Sequence, residues 1–155
     1  MKSMMRSGVL VASAAVILGC ATGGAMMSTP DAIAARQKLM KEQGAASRSI
    51  QEKLKTGQIQ AIESDAQKLA ETSRKIAALF PQGSLDPKTS RAKPEIWQKW
   101  SEFEGHAKTL DTKATQLAAT ARTGNADATK AAMADFGKTT CGACHNAFRG
   151  PEIKK

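Results

Sequence analysis

Tyrosine is absent from this chain of 155 residues, and aromatic residues make up only 4% of it, four Phe and two Trp. No phenolic hydroxyl is therefore available as a hydrogen-bond donor in any pocket. Cysteine and histidine are scarce, with three and two residues. Cys141, Cys144 and His145 stand together, and past residue 20 the rest of the chain offers one His and no Cys. That is too few for a zinc site, which takes about four ligands. No alternating apolar pattern suggests a strand, so the βαβ setting of a thioredoxin-like dithiol is missing. No apolar run reaches the roughly 20 residues that a membrane-spanning helix needs. No nucleophile with a base, no acid–base pair and no second metal cluster points to an enzyme.

Acidic residues are the minority, 14 against 23 basic, for a net charge of +9. The bases are interleaved with acids along the chain, as on a solvated helical surface. The excess favours partners with acidic patches over neutral ones. Nucleic acid is excluded as a partner by the export signal at the other end of the chain.

That signal occupies residues 1–19. Lys2 and Arg6 form a basic start with no acid, and residues 7–19 form a short apolar stretch of the kind found in secretory leaders. Ile17-Leu18-Gly19-Cys20 resembles a bacterial lipobox, in which the cysteine becomes a lipidated first residue. Leu18 is bulkier than usual in such a box. Ordinary cleavage after Gly23-Gly24-Ala25 would instead discard Cys20. Both readings place the chain in the periplasm, one of them with a lipid anchor in a membrane. Residues 20–29 then read as a linker, 30–150 as the single domain and 151–155 as a basic tail.

Cys141-Gly142-Ala143-Cys144-His145 carries the chemistry. C-x-x-C-H is the attachment signature of c-type haem. A spacing of three puts both thiols on one side of a helical turn, where they can meet two vinyl groups of one porphyrin. The adjacent imidazole can then reach the iron as proximal ligand. One haem c, bound through two thioethers, is the implied cofactor. In bacteria this attachment takes place outside the cytoplasm, which agrees with the leader.

Four amphipathic helices are predicted. The first spans 30–54, with Thr29 as N-cap, Pro30 at the first helical position and Gly57 closing it. The second spans 58–79, with a stripe through Ile59, Ile62, Ala66, Leu69, Ile76 and Leu79. A polar loop, 81–93, follows. The third opens near Pro94 and ends before Gly124-Asn125, and its stripe runs through Ile96, Trp100, Phe103, Ala107, Leu110, Ala114 and Leu117. The fourth spans 126–149, where Met133, Phe136, Cys141, Cys144, His145 and Phe148 share a face. Two short connections and one longer loop make this an all-α protein, an antiparallel up-down-up-down four-helix bundle. The stripes are narrow and rich in Ala, so the core is thin without a porphyrin.

A C-terminal C-x-x-C-H on the last of four helices resembles the class II c-type cytochromes, the cytochrome c-prime family. Four marks carry the resemblance: Arg36-Gln37, Lys93-Pro94-Glu95-Ile96-Trp97, Gly124-Asn125-Ala126-Asp127, and Cys141 to Arg149, CGACHNAFR. The resemblance implies one of two functional types. In the low-spin type, a Met four residues after the first-helix Arg ligates the iron, and here that residue is Met40. Such a protein carries electrons. In the five-coordinate type the site is covered but open, and the protein binds NO or CO. A flexible core Met is the alternative for Met40. A third possibility is a haem module within a larger complex. The resemblance also implies that Arg36 pairs with a haem propionate and that Arg149, four residues after His145, tunes the imidazole. Trp97 is expected near the haem or at the bundle end, and Met133 in the core. His106 reads as a partly exposed polar residue. Many members of the family dimerise through the first two helices. Those helices are rich in charge on their outer faces here, so monomer and homodimer both stand.

Overall fold

The computed structural model describes residues 27–153 of the chain. The leader, the lipobox at Cys20 and the end of the basic tail fall outside them. Among the described residues the protein is helical, with no strand and one isolated backbone bridge between Ala92 and Arg149. It is an all-α four-helix bundle. Its rods are α1 (Thr29–Lys55), α2 (Ile62–Ser73), α3 with α4 (Glu95–Gln98 and Trp100–Arg122), and α5 with α6 (Ala126–Ala134 and Ala143–Phe148). The broadest packing is of α2 on α4, followed by α1 on α2. No helix among the described residues is long and apolar enough to cross a membrane.

The first and last rods start where a side chain satisfies free amides. The N-cap of α1 is Ser28, one residue earlier than expected, and its Oγ accepts from the Asp31 amide. Asn125 caps α5 by accepting from Ala128 N at 2.9 Å. Gly57 and Gly124 leave α1 and α4 with φ of +74° each, a left-handed step that favours glycine. Ile50, Ile62, Ala66, Leu69, Ala114, Leu117 and Ala121 form a small aliphatic part of the core, and Phe80, Phe103, Phe136 and Phe148 are buried with them.

Three rods are broken where periodicity predicted continuity. The second helix begins at Ile62 instead of 58 and ends at Ser73 instead of 79. Thr72 and Ser73 donate their hydroxyls back to Lys68 O and Ala70 O, each at 2.7 Å. Such local bonds compete with the helical ladder, and the chain continues as turns and a 3₁₀ segment, Ala77–Leu79. The third helix breaks at Lys99, with φ −119° and ψ 47°. Trp97 holds α3 toward the loop by donating its indole N–H to Phe80 O and Pro81 O, at 3.1 and 3.0 Å. The fourth passes through a π-helical turn, Lys138–Gly142, which takes one residue more than an α turn. The helix then ends at Phe148. Arg149 is extended, with φ −108° and ψ 124°, and is no longer part of it.

Candidate functional site

The π-helical turn and α6 carry the C-x-x-C-H sequence. Cys141 lies in the wide turn, where Thr140 donates to Phe136 O and approaches Cys141 Sγ at 3.7 Å. Cys144 and His145 follow on α6. A π turn in a helix commonly marks a functional site, and this one sets the register from which both thiols and the imidazole project. Gly142 allows it: a Cβ there would stand 3.1 Å from Gly137 O.

All three residues face one cavity of about 470 Å³, within the range of small-molecule and cofactor sites, roughly 300–1,000 Å³. Met40 and Arg36 line it from α1, one turn apart. His106, Ala107 and Leu110 line it from α4. Ser90, Arg91 and Ala92 enter from the loop 81–93, and Arg149 stands at the rim. The structure thus brings every predicted site residue to one chamber. Met133 packs against the core instead. Trp97 packs on Phe80, a residue of the cavity wall, with ring centroids 6.4 Å apart, without lining the cavity itself. His106 is half-buried, edge-to-face with Phe148 at 5.8 Å.

Electrostatics prepare this chamber for a neutral imidazole and an anion. Burial lowers the pKa of His145, and the charges of Arg149 and Arg91 lower it further. The ring nitrogens are thereby kept free of a second proton, as a metal ligand requires. Burial, with a smaller effect from Cys141, pushes the Cys144 thiol up to about 11. Arg36 is 3% exposed. Its guanidinium donates to Ser84 Oγ, Ser84 O and Ser90 Oγ at 3.1, 2.9 and 2.8 Å, and lies over the Phe80 ring at 4.7 Å. None of these partners is an anion, and burial lowers its pKa. Lys41, Arg91 and Arg149 also line the cavity, and no carboxylate does. An apolar chamber with two thiols, a free imidazole and four cations fits a porphyrin with its two propionates.

The loop 81–93 is the part that sequence reasoning passed over. It is tied to the end of α6: Gly150 N donates to Arg91 O at 2.7 Å, Lys93 N to Phe148 O at 3.0 Å, and Arg91 Nε to Gly150 O at 2.9 Å. It is tied to α1 through Arg36 and through Gln37 Nε2, which donates to Thr89 O at 2.8 Å. No local pattern signals these long-range bonds. Gln43, a buried residue of the cavity wall, could have been found, because it lies three residues after Met40 on the same helical face.

A sequence profile described as Cytochrome C' matches residues 31–149. The chain is 31% identical to cytochrome c-556 of Rhodopseudomonas palustris over 160 aligned residues, which cover 96% of this chain and 99% of that protein. Among solved structures, cytochrome c' from Thermochromatium tepidum is 31% identical. It superposes with a TM-score of 0.70, over 82% of this chain and all of the other. A substituted cytochrome c prime from Alcaligenes xylosoxidans, solved as its nitric oxide complex, is 26% identical. It superposes with a TM-score of 0.69, over 80% of this chain and 98% of the other.

Proposed function

We propose that this chain, which belongs to the cytochrome c' family of class II c-type cytochromes, is an exported electron carrier whose iron is held between His145 and Met40. The observation that carries the reading is the shared cavity: Met40 on α1 and His145 on α6 line it together with both haem-binding thiols. Haem c would supply an iron that changes by one electron, and a thioether ligand from Met40 beside the His145 imidazole would raise its potential. Every other task belongs to the protein. Cys141 and Cys144 would anchor the porphyrin as thioethers. His145 stays neutral through burial and its two cationic neighbours. Arg36 would give a propionate the anionic contact that its guanidinium lacks among the serines. Retention of both His145 and Met40 in the two oxidation states would keep reorganisation small. The family comprises haem proteins that carry electrons or bind gases, and no group in the cavity suggests bond chemistry.

A partner that presents carboxylates suits the rim, where Lys41, Arg91 and Arg149 stand without a carboxylate among the lining residues. Export rests on Lys2, Arg6 and the apolar stretch that follows. Cys20→Ser would release a lipid-anchored protein from membranes and leave a periplasmic one unchanged.

A second reading is favoured by the solved nitric oxide complex of a relative: Met40 would gate an open iron that binds NO or CO. The absorption spectrum of the reduced protein with and without CO separates the two. Sharp α and β bands with slow CO uptake support Met40 ligation, and Met40→Ala then turns the spectrum high-spin and speeds uptake. A wild type that is already high-spin and takes up CO readily would replace the electron-carrier reading with the gas-binding one.

A further inference from the structure

Gln43 is the only neutral polar side chain that α1 buries. It is 6% exposed and lines the cavity one turn beyond Met40. Its Nε2 donates to Thr72 Oγ1 at 3.2 Å. The single proton of Thr72 goes to Lys68 O at 2.7 Å, so that hydroxyl offers Gln43 only lone pairs. The amide orientation is therefore fixed by chemistry, nitrogen toward Thr72. The second N–H and Oε1 make no hydrogen bond among the described residues, and Gln43 is part of the cavity lining. The apolar part of the same cavity wall includes Met40, Ile76, Phe80, Ala107 and Leu110. A buried amide half-satisfied in such a wall costs stability unless a further partner completes it.

We infer that Gln43, held by Thr72, is the hydrogen-bond donor on the Met40 side of the iron, and that it donates its free N–H to the terminal oxygen of a diatomic ligand that takes the place of Met40. The inference rests on the proposed His145/Met40 arrangement and deepens it. Met40 decides whether the site opens, and Gln43 decides which ligand stays. The polarity and hydrogen-bond donors of such a pocket govern what a haem iron retains. A donor in an apolar wall favours ligands that gather negative charge on their outer atom when bound.

The test uses the haem-loaded protein with Met40→Ala as the open-site background, and CO as the probe. The C–O stretch and the CO dissociation rate are compared with and without Gln43→Leu. Loss of the donor raises the stretching frequency and speeds dissociation by about 2- to 12-fold, the range of one net hydrogen bond. Thr72→Val, which leaves the amide but removes its anchor, shifts both readouts part of the way. An unchanged frequency and rate in Gln43→Leu overturn the inference. If Gln43→Leu fails to load haem, Gln43→Met, close in volume, is judged by the same two readouts. If the wild type already binds CO readily, Met40 ligation fails. Gln43→Leu in the wild-type background then decides the role of Gln43 by itself.

Discussion

Nη2 of Arg36 donates to the backbone oxygen of Ser84 at 2.9 Å, across 48 residues of chain. One guanidinium thus joins α1 to the loop that closes the cavity, with Ser84 Oγ and Ser90 Oγ as further acceptors. Ser84 and Ser90 are themselves buried. Arg36→Met would leave those oxygens without their donor while keeping the apolar stem. The haem-loaded variant is expected to lose about 1–3 kcal/mol, the cost of buried acceptors left unpaired. Arg36→Lys should recover only part, because an ammonium cannot reproduce the fork. Guanidinium unfolding followed by circular dichroism measures both. A loss under about 0.5 kcal/mol in Arg36→Met, typical of surface changes, would show that Arg36 holds nothing together.

The seat of Arg36 depends in turn on Asp86. Its carboxylate accepts from Lys88 N at 2.9 Å and from Thr89 Oγ1 at 2.7 Å, and its backbone oxygen accepts from Ser90 N at 2.8 Å. The bond from Thr89, then that from Lys88 N, holds the Asp86 pKa below its ordinary value. A depressed carboxylate pKa contributes stability above the unfolded value, about 3.9, that is lost as the pH falls through the folded value. Hydrogen-exchange protection of residues 88–90 should therefore fall below about pH 4, where ordinary carboxylates take up protons. Asp86→Ala should show the same loosening at neutral pH. Unchanged protection in that variant at neutral pH would remove Asp86 from this role.

The haem-free chain should be poorly folded. The core is rich in Ala and single aliphatics, and the cavity of about 470 Å³ is walled by α1, α3 with α4, the π turn with α6, and Ile76 and Phe80 beyond the end of α2. Without a porphyrin, its apolar lining either faces water or collapses. Circular dichroism of the apo chain is expected to show most of the helix lost, or a melt without a cooperative step. A cooperative apo transition close to that of the haem protein would contradict this.

The four rods and the attachment motif were legible because their signals are local. Ile96, Phe103, Leu110 and Leu117 repeat at helical spacing, and the structure buries all four. The two thiols and the imidazole are adjacent in the chain. Arg36 and Met40 are one turn apart, so one face of α1 brings both to the cavity. The breaks were not legible. Thr72 and Ser73 end α2 through hydroxyl bonds that any helix could also tolerate. The π turn at Lys138–Gly142 adds a residue that no apolar period reveals. The loop contacts of Ser84, Ser90 and Arg91 connect residues about 50 positions apart, where sequence spacing carries no information.

Two glycines of the attachment helix should answer differently to the same substitution. Gly137 has helical dihedrals, φ −62° and ψ −38°, and a Cβ there would meet nothing within 4 Å. Gly137→Ala removes backbone freedom from the unfolded chain, and should stabilise the haem protein by about 0.4–1 kcal/mol. Gly142 also has helical dihedrals, so conformational freedom does not explain it. Its Cβ would press on Gly137 O at 3.1 Å, within the π turn itself. The Cβ is fixed to its backbone and Gly137 O is itself backbone, so relief requires the turn to open or to revert to an α turn, which would rotate Cys141 relative to Cys144. Gly142→Ala should therefore lose the Gly137-type gain and cost about 1–3 kcal/mol as an overpacked site. It should also lower the fraction of chains that carry covalent haem. Unfolding of the two loaded variants, and covalent haem measured after acid–acetone extraction, test the pair. Equal stabilisation by both substitutions, with full haem attachment, would show that the wide turn does not need its glycine.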